Sequence, residues 1–144
     1  MYIYTIMKKY DIDKSSVSVV AEPMVTFGAI NYFALANTSI DKNRIKEVIA
    51  LSKLSLTELI EILPISIDTY KRKTIFSPPV SEKVLEIEEV YKMGLYAFGD
   101  GFHTWMMANN VALGGIAPKS LLKNSFGVRQ LLDQIGRMEH GVLA

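Results

Sequence analysis

Three observations on this sequence predict a mainly α fold. Apolar residues recur at three- and four-residue spacing over 45–52, 56–63, 84–98 and 128–138, which is the period of one buried helical face. Ser55 is followed three residues later by Glu58, the pattern of a reciprocal helix N-terminal cap. Prolines and glycines fall largely between the periodic segments, at Pro64, Pro78-Pro79, Gly99, Gly101, Gly114-Gly115, Pro118 and Gly127, where they punctuate the chain. With 144 residues, 49% apolar and 22% charged, the chain has enough material for a core in one domain or two very small ones.

Residues 1–38 read as an N-terminal arm. Strand-like runs at Tyr2–Ile6 and Val17–Val20 lack a hairpin turn to pair them. Pro23 and Gly28 interrupt the rest of the arm, and the apolar run from Ala29 to Ala36 predicts one short helix. From Ser39 the period becomes helical. Ser39 or Asp41 is placed to cap a helix with Ile45, Val48, Ile49 and Ser52 on one face. Ser55 opens a second helix with a Leu56, Leu59, Ile60, Leu63 stripe, which Pro64 stops by removing a donor and clashing with the preceding turn. Ser66 caps a third short helix, Ile67 to Lys73. Helix, short break and helix give the outline of a helix-turn-helix, or equally of a plain helical hairpin, over residues 39–78.

Pro78-Pro79 predicts an extended link. Ser81, with Glu82 and Glu86 in the opening turns, then starts the longest helix, running to about Phe98 with Val84, Ile87, Val90, Tyr91, Gly94 and Leu95 inward. A helix over Phe102–Ala108 comes next, then a turn at Asn109-Asn110 and the Gly114-Gly115 loop. Pro118 opens a further helix at a position proline favours. A last helix over 127–138 aligns Val128, Leu131, Leu132, Ile135 and Met138. Residues 79–144 thus read as a compact helical unit with a short C-terminal tail.

Composition excludes several classes of function. There is no cysteine, hence no disulfide framework and no thiolate metal site, in keeping with a reducing cytoplasm. No apolar run approaches the ~18 residues of a membrane span, and the start lacks the basic flank of a secretion signal. The chain reads as soluble and cytoplasmic, without membrane contact. His103 and His140 have no partner at metal-ligand spacing. No acid–base pair, activated nucleophile or phosphate loop stands out, so neither catalytic residues nor a cofactor are expected. The net charge of +1 conceals a gradient: residues 41–73 carry seven Lys or Arg against five Asp or Glu, and residues 81–100 two against five.

Three groups of residues stand out for function. Ser66, Thr69, Tyr70, Lys71, Arg72 and Lys73 combine hydroxyls that hydrogen-bond phosphates with cations that release counterions, on a helix of a kind that fits a major groove. A solvated basic helix end is the alternative, since cations at a helix C-terminus also suit its dipole. Trp105, spaced with Phe102, Met106 and Ala108, reads as core. Gly114 and Gly115 supply a backbone with positive φ, and Pro118 a helix start; these four are structural candidates. In the tail, Arg137, Glu139 and His140 either solvate a fraying end or bind, Gly141 offers a helix stop, and Val142 and Leu143 put apolar residues where little remains to cover them.

Two blocks resemble the Xre antitoxins of RES–Xre toxin–antitoxin operons, within the wider Xre/MbcA/ParS group. L-S-L-T-E-L-I-E-I-L-P-I-S-I-D-T-Y-K-R-K (54–73) is similar to the family's helix-turn-helix region. F-G-D (98–100), W-M-M-A-N-N-V-A-L-G-G-I-A-P-K-S-L-L (105–122), G-V-R-Q-L-L (127–132) and R-M-E-H-G-V-L-A (137–144) are similar to its toxin-binding domain. Asp68 stands where members often carry a basic residue, and Ala108 where they often carry proline before the turn asparagine. The resemblance implies a non-enzymatic antitoxin with two partners. One is a RES-domain, NAD-degrading toxin, whose active-site cleft the tail residues Arg137, Glu139, His140, Gly141, Val142 and Leu143 would meet. The other is operator DNA, read by a homodimer through residues 66–73 to repress its own operon. The alternative expectation is a stand-alone helix-turn-helix regulator without a toxin.

Overall fold

The computed structural model describes residues 30–141. The strand-like runs near Tyr2 and Val17 lie outside the described residues, as do Val142 and Leu143 of the tail. The fold is mostly helical: α1 (Ile30–Ala36), α2 (Lys42–Ser52), α3 (Leu56–Ile62), α4 (Ile67–Arg72), α5 (Pro78–Phe98), α6 (Gly101–Met107) and α7 (Ser125–Glu139). Two 3-10 segments, Val111–Leu113 and Pro118–Lys123, join α6 to α7. Strands β1 (Ile40–Asp41) and β2 (Ile75–Phe76) pair antiparallel, Ile40 opposite Phe76 and Asp41 opposite Ile75.

Local chemistry sets most of the helix ends. The Asp41 side chain accepts from the Arg44 N–H and starts α2. Ser55 and Glu58 form the reciprocal cap of α3, each side chain accepting from the other's backbone N–H. Helix α3 ends at Ile62, with Leu63 extended before Pro64. Ser66 caps α4 by accepting from the Thr69 N–H, and Asn124 caps α7 by accepting from the Gly127 N–H.

The structure differs from three expectations. Pro78 and Pro79 are not an extended link: they are the first two residues of α5, with Ser77 as the N-cap. Neither position needs a backbone N–H in the first turn, and the fixed φ of proline already matches the helix. Ser81, expected as the cap, is instead buried inside that turn, where its hydroxyl donates to the Thr38 carbonyl at 2.6 Å. Gly127 is likewise no break. It lies within α7, where a Cβ would run into the Leu121 carbonyl, so glycine lets the 3-10 segment and the helix pack in close contact.

Helix α5 is the spine. Beyond its first turn only Glu82, Lys92 and Tyr96 are exposed, and α5 meets α1, α2, β1, α6 and α7. One continuous apolar cluster runs from Ile40, Ile45 and Val48 through Val84, Ile87 and Tyr91 to Phe102, Leu131 and Ile135. Into it is set one charged group. Glu88, 4% exposed, accepts from Arg44 Nε at 2.8 Å and Nη2 at 2.9 Å. It also accepts from the Tyr32 hydroxyl at 3.1 Å, and it pairs with Lys92 at 3.1 Å. Burial alone would raise the Glu88 pKa, but the hydrogen bonds from Arg44 and Lys92 outweigh it and hold the carboxyl below its ordinary value. Burial beside Glu88 pushes the Tyr32 phenol up.

Arg44→Ala should therefore cost about 3 kcal/mol, the low end for breaking a buried pair, because Lys92 and Tyr32 still face the carboxylate. A carboxyl with depressed pKa stabilises fully above its unfolded value, about 4.3, and loses that contribution as pH falls through the folded value. The gap between wild type and Arg44→Ala, measured by urea unfolding, should shrink between pH 7 and pH 3. A constant gap would remove the electrostatic explanation. Gly127→Ala sets a helix-propensity gain of about 1 kcal/mol against overpacking of roughly 1–3 kcal/mol or more. The clash is with rigid backbone, so the melting temperature should fall; a rise would show that the segment yields.

Candidate functional site

Two surfaces gather the residues singled out by sequence. The first is built on α3 and α4. The residues Leu63 to Ser66 separate these helices, with Leu59 and Leu63 buried beneath the break. Lys71, Arg72, Lys73 and Ser66 are exposed, and Thr69 is half-buried. The Ser66 and Thr69 hydroxyls lie 3.0 Å apart and serve the cap. Tyr70 points inward: it is 6% exposed and stacks on Phe76, 5.9 Å between ring centroids. Lys42 Nζ sits 4.6 Å from the Tyr70 ring centroid and donates to the Lys71 carbonyl at 3.3 Å. That cation joins the basic end of α4 from a helix 29 residues earlier, a juxtaposition that spacing along the chain does not reveal. Asp68 is exposed in the first turn of α4, where a carboxylate suits the helix dipole.

The second surface is the unit formed by α6, the 3-10 segments and α7. Gly94 of α5 lies against the Phe102 ring so closely that any Cβ would overlap it. Phe102 is fully buried and stacks between Phe98, at 6.5 Å, and Trp105, at 5.6 Å. It also meets the edge of Tyr91 at 5.6 Å. Trp105 is only partly buried and lies against the core rather than within it, because its inner side is already filled by Phe102. His103 stacks on Tyr91 at 5.8 Å. Pro118 is buried at the start of its 3-10 segment. Lys119 pairs with Glu58 of α3 at 2.6 Å, and this hydrogen bond, with that from the Ser55 backbone, lowers the Glu58 pKa. Lys83 donates to the Leu122 carbonyl at 2.9 Å.

The loop between α6 and the second 3-10 segment is pinned throughout. Asn110 donates its N–H to the Ile116 carbonyl at 3.0 Å, and its own carbonyl accepts from Leu113 at 3.1 Å and Gly115 at 2.8 Å. Its side-chain oxygen accepts from the Ala112 N–H at 2.8 Å. Gly114 and Gly115 take φ of +83° and +84°, values that strain any residue with a Cβ, and Leu113 anchors the turn in the core. Against this order the loop displays Val111, 94% exposed, with Ile116 and Met107 also open to solvent. Sequence reasoning misses these three: Val111 and Ile116 stand between the periodic segments, and Met107 closes a helix too short to show an outer face.

At the C-terminal end, α7 buries Val128, Leu131 and Ile135 and exposes Arg137 in its last turn. Glu139 is half-buried, His140 is exposed, and Gly141 takes φ of +75°, the left-handed stop expected after a helix. Among the described residues no helix is long and apolar enough to cross a membrane.

A family match falls on the second surface. Residues 97–141 match the family described as the antitoxin Xre/MbcA/ParS C-terminal toxin-binding domain. The chain is also 35% identical over 72 residues to the antitoxin Xre of Yersinia enterocolitica serotype O:8 / biotype 1B (strain NCTC 13174 / 8081). That similarity covers 48% of this chain and 49% of the relative, so the chain spans about half the length of the curated relative it matches. The matched residues begin in the last turn of α5 and take in α6, the pinned loop and α7. The C-terminal part of the chain is thus similar to the toxin-binding domain of the Xre/MbcA/ParS antitoxins.

Proposed function

We propose that this chain is a non-enzymatic antitoxin that binds and neutralises a protein toxin through residues 97–144. We further propose that it represses its own operon through α3 and α4, acting in the cytoplasm. One observation carries the reading: the span matching a toxin-binding domain is also a packed unit with a rigid outer loop and an exposed cationic end. A surface held in advance loses little conformational freedom on docking. The toxin in this proposal is of the RES, NAD-degrading type. Arg137 would donate a bidentate pair to a carboxylate or phosphate in its cleft, His140 would add a hydrogen bond, and Glu139 and Gly141 would set the exit of the chain. Val142 and Leu143 would bury apolar surface, each worth roughly 1.5–3 kcal/mol at most.

The DNA-binding part of the proposal rests on Lys71, Arg72 and Lys73, exposed together at the end of α4 with Lys42 beside them. Asp68 shares a helix face with Lys71 and Arg72 at three- and four-residue spacing and subtracts from their field. Ser66 and Thr69 keep spare hydroxyl capacity for phosphate. Tyr70, packed inward, supports the helix rather than meeting DNA. A six-residue helix offers few contacts, so paired half-sites bound by a homodimer suit it better than one site.

Deleting residues 137–144 should leave folding intact, because the buried residues of α7 end at Gly136, and should restore NAD consumption by the co-purified toxin. Complete inhibition by the truncated chain at equal concentration would move the neutralising contact elsewhere. On its own upstream DNA, Lys71→Ala with Arg72→Ala should weaken binding and flatten the log K against log salt slope by about 0.9 per lost phosphate contact. Unchanged affinity and slope across a salt titration would show that α4 does not read DNA.

A further inference from the structure

Val111 is the most exposed large apolar side chain of the described residues, at 94%, and it stands on a tightly braced loop. A β-branched side chain left in water gains nothing for the free protein, whereas the loop beneath it is fixed at both ends. Asn110 is hydrogen-bonded to Ile116, Leu113, Gly115 and Ala112, and Leu113 is sunk in the core. Two successive glycines with positive φ close the turn. Ile116 is brought beside Asn110 by the same bridge, and Met107 ends the helix just before the loop; both are exposed. The result is a braced, uncharged, exposed apolar group.

We infer that Val111, flanked by Ile116 and Met107, is a knob that seats in an apolar depression of the toxin, separate from the Arg137–Ala144 tail. This deepens the proposed function and rests on it. The occupant is the toxin rather than a second copy because the whole projection lies inside the span that matches a toxin-binding domain. An anchor of this form has the features of an interface hot spot: it enters a dry pocket as a unit, with little freedom left to lose. The knob adds affinity outside the cleft and the tail supplies inhibition, so the two are separable.

The test uses the full chain and the purified product of the gene beside its own, with affinity measured by calorimetry and oligomeric state by sedimentation. Val111→Asp should weaken binding by about thirtyfold or more without changing the melting temperature, since Val111 makes no core contact to lose. Val111→Ala should weaken it less, by about threefold to tenfold. Deletion of residues 137–144 should leave binding measurable while it releases the toxin's activity. Binding of Val111→Asp within about threefold of wild type overturns the knob and leaves the antitoxin reading standing. Failure of the wild-type chain to bind overturns that reading, and the knob with it. Dissociation of a wild-type dimer by Val111→Asp assigns the projection to a second copy and overturns the inference.

Discussion

Burial of α5 around most of its circumference is the constraint on which the rest of the structure depends. The faces that such a helix buries must be apolar, and Val80, Val84, Leu85, Ile87, Val90, Tyr91 and Met93 meet that demand. Its two flanks are then occupied by different parts of the chain. Helices α1 and α2, which precede it in the chain, and α6 and α7, which follow it, all pack on it. The buried charge of α5, Glu88, ties α1 and α2 to the helix. A bidentate guanidinium pair and a phenol hydrogen bond impose direction where apolar packing imposes only proximity.

Close approach does for the C-terminal side what Glu88 does for the N-terminal side. Gly94 admits the Phe102 ring against the spine, and Gly127 admits the Leu121 backbone against α7. With Phe98, Tyr91 and Trp105 around it, Phe102 gives the unit a rigid aromatic centre. The pinned loop and the start of the tail project from that centre. Lys119 reaches from this unit to Glu58 in the cap of α3, so the surface proposed to meet toxin and the helix pair proposed to meet DNA share a physical contact.

Much of this is legible in the sequence, and the misses have physical causes. Local chemistry reads correctly where it acts alone: the Ser55–Glu58 cap, the Ser66 cap and the stop before Pro64, with Asp41 rather than Ser39 taking the cap that either could have made. Pro78-Pro79 misleads because proline is equally at home in an extended link and in the first turn of a helix. Only tertiary packing decides between them, through the burial of Val80 and Ser81 and the bond from Ser81 to Thr38. Gly127 looks like a break because a glycine required by a neighbouring backbone is the same in sequence as one required by a turn. Spacing places Trp105 in the core, yet Phe102 already fills the inner position. The Arg44–Glu88 pair spans 44 residues, beyond any periodic pattern. The C-terminal motifs point to the antitoxin family because they combine a tryptophan, a glycine pair and a proline at fixed offsets.

If α5 is the shared spine, neither flank can unfold without the other. Trp105 is the sole tryptophan and reports on the C-terminal unit, while far-UV circular dichroism reports on all the helices. Urea unfolding followed by both probes should give coincident transitions with one midpoint, as a two-state unit requires. A tryptophan transition clearly separated from the loss of helical signal would refute a shared spine, since the two flanks would then be independent units joined only by a continuous helix.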